Sequence, residues 1–286
     1  MSLRTLVPPE GQPHIFAASA FARYTDDLCD TGPVEGRTQR FEEWADHVNT
    51  ALDTGSSGHP LMRAYLHSAG LRNLSREWID AYLAGTRLEL EFAGFAQEAD
   101  FQRYLDTVSV PSFMLGFGVV PFLVPEQRFI SSVRLLVDAA QRTDDLTDLF
   151  EDLRDGRLCL PVSALDRHGV TRADLEKGRD TPGVRALLSA TASSARATLV
   201  EGERVLGDID PGYRPAFRFV IGLVHNALDD VETRGVAVIR RPHHDRPVAS
   251  LSLLVRSRRM GASTEAQAGR GAHHNRVRSG DPLHGR

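Results

Sequence analysis

The stretch that decides the fold is EQRFISSVRLLVDAAQRTDDLTDLFEDL, running from Glu126 to Leu153. Its apolar residues Phe129, Val133, Leu136, Val137, Ala140 and Leu146 recur mostly at intervals of three and four, the period of one helical face. No proline or glycine interrupts the run, and Asp155-Gly156 supplies a stop. The spacing predicts one long amphipathic helix over 126–153.

The same reading extends in both directions. Helices are predicted over His14 to Cys29, Arg37 to Leu52, Pro60 to Ala69, Ser75 to Leu90 and Glu98 to Val110, the last ended by Pro111. Beyond the central run, Leu158 to Pro161 is short and apolar and reads as a packed connection rather than a strand. Thr171-Arg172-Ala173-Asp174 has the pattern of a capping box with Asp in place of Glu. Pro182 then opens a helix over Val184 to Leu206, and another covers Pro215 to Ile239. Pro242 to Pro247 is a turn before a short helix to about Arg258. Period-two alternation is nearly absent, so the fold class is all-α. The expected organisation is an N-terminal segment over 1–13, one helical domain over 14–258 with a candidate hinge at Leu158 to Pro182, and a disordered tail over 259–286, rich in Gly, Ser, His and Arg.

Composition narrows the function. The chain has 286 residues, a formal net charge of -4, 41% hydrophobic and 25% charged residues, values of an ordinary globular protein. A slight negative balance argues against a nucleic-acid partner, whose phosphates demand a basic face. No apolar run is long enough for a membrane span, and two cysteines cannot build a disulfide framework, so the expected setting is cytoplasmic. Of 34 basic residues one is lysine, Lys177; the arginine bias suits phosphate recognition but is equally the mark of coding bias.

The residues that stand out are acids. Asp26, Asp27 and Asp30 sit near the end of the first helix, and Asp144, Asp145, Asp148, Glu151 and Asp152 near the end of the long one. At 3.6 residues per turn, Asp26 projects with Asp30, and Asp144 with Asp148 and Asp152. Like charges at that spacing repel, and helix C-termini disfavour carboxylates, so a cation is the natural compensation. Mg²⁺ fits best: it takes hard oxygen ligands and is usually held by one or two carboxylates plus substrate phosphates, with Mn²⁺ as a substitute. A solvated acidic face is the bland reading of either motif taken singly. Phe16, Phe21, Tyr24, Phe113 and Phe117 are candidates to line an apolar pocket in which ring faces stabilise a cation, against ordinary core packing. His243-His244 and His273-His274 read as exposed pairs rather than ligands.

The run Arg23-Tyr24-Thr25-Asp26-Asp27-Leu28-Cys29-Asp30 and the run Gln141 to Asp152, continued by Gly156-Arg157-Leu158-Cys159-Leu160-Pro161, resemble the two aspartate-rich regions of the squalene/phytoene synthase family. The segment Thr86 to Asp106, with Glu89 and with Phe95 leading to Tyr104, is similar as well, so the likeness covers roughly residues 14–258. The resemblance implies a single-domain isoprenoid synthase fold, a helical bundle around an apolar cavity. It implies that Asp26 and Asp30 on one wall, and Asp144, Asp148 and Asp152 on the other, bind Mg²⁺. Arg23 and Gln141 would contact the substrate diphosphate. The implied reaction is ionisation of an allylic diphosphate and head-to-head coupling to a second prenyl diphosphate, first of all two geranylgeranyl diphosphates to phytoene. The need for NADPH, the oligomeric state and any peripheral membrane contact through an apolar product stay open. Val108 to Met114, bulky and holding Pro111, motivates a second reading: a single-substrate terpene cyclase, or prenyl transfer to another acceptor. A non-catalytic helical interaction protein is the third.

Overall fold

The computed structural model describes residues 6–242 apart from 32, 91 and 93, and among them it is helical, with one isolated bridge pair, Phe122 and Ile209, in place of any strand. In chain order the α-helices are α1 (Gln12–Asp30), α2 (Arg37–Thr54), α3 (Pro60–Arg72), α4 (Arg76–Leu90), α5 (Glu98–Tyr104), α6 (Val110–Phe117), α7 (Glu126–Thr147), α8 (Leu149–Arg154), α9 (Val162–Arg167), α10 (Arg172–Glu176), α11 (Pro182–Gly202), α12 (Val205–Asp208) and α13 (Arg214–Arg234). The predicted capping box forms: Thr171 Oγ1 accepts from Asp174 N at 3.2 Å while Asp174 Oδ2 accepts from Thr171 N at 2.9 Å.

Four expectations change. Pro111 does not end the central helix. A π-helical turn over Leu105–Ser109 lets Val110 N–H reach back to the Leu105 carbonyl, and Pro111 falls in the first turn of α6, where a missing N–H costs least. The long helix breaks at Asp148, with φ -95° and ψ -3°, where the Asp144 carbonyl accepts both Asp148 N and, at 3.0 Å, the Thr147 hydroxyl. The helices predicted to reach Leu206 and Ile239 each divide, the second at Gly235, whose φ of +49° turns the chain into a 3₁₀ segment, Gly235–Ile239. The candidate hinge is no linker, because Leu158, Leu160, Leu165, Val170 and Leu175 all belong to the core. The turn at Pro242–Pro247, the helix to Arg258, both histidine pairs and the tail lie outside the described residues, or begin at their edge.

Two apolar clusters hold the helices. The larger gathers α5 to α13 around Phe129, Leu136, Leu199 and Val224; the smaller gathers α1 to α4 around Phe21, Phe41, Tyr65 and Tyr82. The central segment α5–π–α6 feeds both, since Phe113 and Met114 pack in the larger and Leu115 in the smaller. Two glycines permit close approaches between helices that frame the site. A Cβ on Gly85 of α4 would stand 2.4 Å from the Thr107 carbonyl oxygen in the π turn, and one on Gly202 of α11 would stand 2.9 Å from Leu136 N of α7.

Candidate functional site

The second acidic motif is buried. Asp144, Asp145, Asp148 and Asp152 keep 4%, 2%, 3% and 2% of their surface, although they stand within nine residues of one another. The break at Asp148 does not spoil their register, because Asp148 N bonds the Asp144 carbonyl and Asp152 N the Asp148 carbonyl, each at 2.9 Å. The spacing read as a ladder therefore survives across two helices. Burying carboxylates so densely is costly unless they are paired, hydrogen-bonded or joined to a cation.

Neighbours hold these groups in place. Arg157 Nη2 stands 3.2 Å from Asp152 Oδ1, and Cys159 Sγ donates to Asp152 Oδ2 at 3.3 Å. The Thr147 hydroxyl reaches Asp148 Oδ1 at 3.3 Å. Gln141 donates to Asp145 Oδ1 at 3.0 Å and accepts from the Ser109 hydroxyl at 3.1 Å, so both ends of its amide are engaged within the protein. In this position Gln141 links α7 to the π turn.

In the first motif, Asp26 is fully buried, and its Oδ1 accepts from the Tyr82 hydroxyl of α4 at 3.1 Å. Asp30 closes α1, and its side chain lies outside the described residues. Arg23 is half-exposed and pairs with Asp27 at 2.8 Å, not with Asp26. The two motifs thus hang on one central segment: α4, which carries Tyr82, packs against the π turn through Gly85, and Ser109 of that turn bonds Gln141.

The five aromatic candidates do not form one wall. Phe21 stacks on Tyr65 at 4.2 Å in the smaller core, and Tyr24 and Phe16 are 37% and 46% exposed, Tyr24 meeting Trp44 edge-on. Phe113 and Phe117 do pair, at 5.6 Å, and Phe117 meets Phe217 of α13 at 4.7 Å. Sequence reasoning gave no role to Tyr82, Ser109 or Cys159. Arg157 and Cys159 were inside a quoted motif, whereas nothing local marks Tyr82.

The donor set fits Mg²⁺. Among the described residues no three His, Cys, Asp or Glu side chains form a ready-made cage. Hard oxygen donors at helical spacing suit an ion that keeps waters and completes its shell on substrate phosphates.

A sequence profile of squalene/phytoene synthase matches residues 3–252. The chain belongs to the squalene/phytoene synthase family. It is therefore a prenyltransferase of that family. The bifunctional protein CrtB/UppS of Streptomyces coelicolor is 31% identical over 68% of this chain and 34% of its own length, so the chain spans about a third of that relative. Presqualene diphosphate synthase of Sinorhizobium fredii is 27% identical over 85% of this chain and 86% of the relative; phytoene synthase of Thermus thermophilus is 29% identical over 84% and 80%. The crystal structure of squalene synthase HpnC from Alicyclobacillus acidocaldarius matches the fold with a TM-score of 0.74 at 22% identity, covering 84% of this chain and 89% of that one. This family member has, among its described residues, no helix long and apolar enough to cross a membrane.

Proposed function

We propose that the chain couples two prenyl diphosphates head to head in a Mg²⁺-dependent reaction, with two geranylgeranyl diphosphates giving phytoene as the leading case. The observation that carries this reading is that Asp144, Asp148 and Asp152 are buried and in register. Asp26 and Asp30 on α1, and Asp144 on α7, Asp148 at its junction with α8 and Asp152 on α8, would hold Mg²⁺, with Mn²⁺ able to replace it. When bound, the metal takes up the negative charge that builds on a departing diphosphate.

The chain's own residues do the rest. Tyr82 orients Asp26, Arg157 and Cys159 orient Asp152, and Thr147 orients Asp148. Arg23, which pairs with Asp27 on the exposed side of α1, would meet the diphosphate oxygens. The allylic C–O bond breaks and its electron pair leaves with the diphosphate; the alkene of the second substrate attacks the resulting cation, and loss of a proton closes the ring of a cyclopropylcarbinyl diphosphate. A second ionisation and rearrangement follow, and proton loss ends the phytoene route. Apolar side chains such as Phe113 and Phe117 exclude water from the cations.

Incubation with Mg²⁺ and C10, C15 or C20 diphosphates, with and without NADPH, tests this. A C40 hydrocarbon from the C20 substrate without NADPH is expected. A C30 cyclopropyl diphosphate or hydrocarbon from the C15 substrate keeps the coupling and moves the substrate. A C15 or C20 hydrocarbon or alcohol alone rejects coupling in favour of single-substrate ionisation, a reading supported by Val110, Phe113 and Met114, which fill the core side of the central helix.

A further inference from the structure

Asp26 is held by Tyr82 of α4, and the residue before it is held by α2. Trp44 Nε1 donates to Thr25 Oγ1 at 2.8 Å, and the Thr25 hydroxyl donates to the Phe21 carbonyl at 3.0 Å. Thr25 and Asp26 are fully buried, and Trp44 is nearly so. A hydroxyl that donates to one fixed group and accepts from another has its hydrogen fixed in direction, so this contact has a single geometry.

Neighbouring rings fix the indole in turn. His47, one turn on along α2, stacks on Trp44 with ring centroids 5.5 Å apart and an interplanar angle of 14°. His59 meets the indole edge-on at 5.1 Å, and Tyr24 does so at 4.7 Å. Both histidines are tied to one hydroxyl: Ser57 Oγ lies 2.8 Å from His47 Nε2 and accepts from His59 N at 3.0 Å. An indole packed against three rings cannot turn its N–H elsewhere without displacing one of them.

The consequence falls on the first acidic motif. Successive residues of an α-helix project about 100° apart, so one contact leaves a helix free to roll about its axis, whereas contacts from two helices to adjacent residues do not. Trp44 of α2 holds Thr25, and Tyr82 of α4 holds Asp26 and the Ala22 carbonyl. The Arg23–Asp27 pair joins residues of the same helix and adds no such restraint.

We propose that Trp44 is a positioning residue for the first aspartate motif: through Thr25 it fixes the roll of α1, and with it the direction of Asp26. The inference rests on the reading of Asp26 as a metal ligand and extends it to a residue of α2 that lies outside both acidic motifs.

The test uses the full chain with Mn²⁺ and inorganic pyrophosphate in place of substrate, and reads metal uptake, without turnover, from the electron paramagnetic resonance of free Mn²⁺. Trp44→Phe removes the donor, Thr25→Val replaces the hydroxyl by a methyl group, and Thr25→Ser keeps the hydroxyl. Trp44→Phe and Thr25→Val are each expected to raise the Mn²⁺ concentration for half-saturation roughly 5-fold, the scale of one lost buried hydrogen bond. The double variant is expected to go little further than either alone, because both changes break the same contact. Thr25→Ser is expected to bind as the unaltered chain does. Circular dichroism and a thermal melt accompany each protein; should Trp44→Phe fail to fold, the two Thr25 variants carry the same comparison. Folded variants that melt lower yet take up Mn²⁺ as the unaltered chain does reduce Trp44 to core packing and overturn the proposal. So does a Thr25→Ser protein as impaired as Thr25→Val. An unaltered chain that takes up no Mn²⁺ with pyrophosphate overturns the metal reading itself, and the positioning role with it.

Discussion

The Tyr82 hydroxyl lies between two acceptors one turn apart on α1, 3.2 Å from the Ala22 carbonyl oxygen and 3.1 Å from Asp26 Oδ1. Tyr82 and Asp26 are both fully buried, so a residue of α4 sets the orientation of the leading aspartate of the first motif.

Tyr82→Phe removes that donor without changing the ring. A hydrogen bond to a charged group contributes about 1.5–3 kcal/mol, and in a domain of this size each kcal/mol corresponds to roughly 2–4 °C of Tm. The variant is expected to melt several degrees lower and to need more Mg²⁺ for half-maximal diphosphate release, with kcat little changed at saturating metal. Thermal melts and a Mg²⁺ titration check this; an unaltered metal requirement reduces Tyr82 to a packing role.

Asp148→Ala with Asp152→Ala is expected to lower diphosphate release at least about 100-fold, the scale of losing one preorganised electrostatic contact. Helix content should persist, because the bonds that keep α7 and α8 in register run from backbone N–H to backbone carbonyl. Circular dichroism and a pyrophosphate assay together decide. Full release by a folded double variant would falsify the proposed ionisation site.

Gly85→Ala places a methyl group 2.4 Å from the Thr107 carbonyl oxygen and 3.0 Å from Val108 Cα, both backbone atoms that cannot swing aside. Overpacking of this kind costs about 1–3 kcal/mol. The displaced segment carries Ser109, the donor to Gln141, so reduced turnover should accompany the lower urea midpoint. Retained stability with normal turnover would show that α4 and the π turn yield freely.

Arg142 donates to Asp138 Oδ1 at 2.7 Å, pairs with Glu98 and covers the Phe101 ring at 4.2 Å. Arg142→Met leaves the Asp138 carboxylate, 4% exposed, without that partner, a loss of about 3–5 kcal/mol for a broken buried pair. Burial raises the Glu98 carboxyl, but hydrogen bonds from Arg142 and Gln102 outweigh it, and the group titrates below its ordinary 4.5. A depressed carboxyl stabilises the fold above its unfolded value, and that stability is lost as pH falls through the folded value. The native chain should therefore lose stability through that acid interval, and Arg142→Met should lose less of it there. Urea midpoints measured from neutral pH downward give the slopes; parallel slopes would mean that Arg142 does not depress Glu98.

The helices were legible because their signal is local. The three-four spacing from Phe129 to Leu146, the Thr171–Asp174 box and Pro182 each act within a turn or two of chain, and each stands where it was read. The misreadings came where a neighbouring group altered a local preference. Pro111 was absorbed by a π turn, and at the break at Asp148 the Asp144 carbonyl is shared with the Thr147 hydroxyl. In the candidate site, the register of Asp144, Asp148 and Asp152 was legible from spacing alone, while hydrophobicity does not say which cluster a ring joins: Phe21 packs in the smaller and Phe113 in the larger.

The sequence by itself determined that the chain is all-α, that its carboxylates recur at i and i+4, and to which family its motifs belong, since helical rise and residue order require no tertiary contact. Only the tertiary structure decided that these carboxylates are buried, that Tyr82, Ser109, Arg157 and Cys159 are the groups that aim them or brace their helix, and that Gln141 is turned inward. Those relationships join residues up to 56 positions apart, and the packing of α4, the π turn and α7 brings them within hydrogen-bond reach.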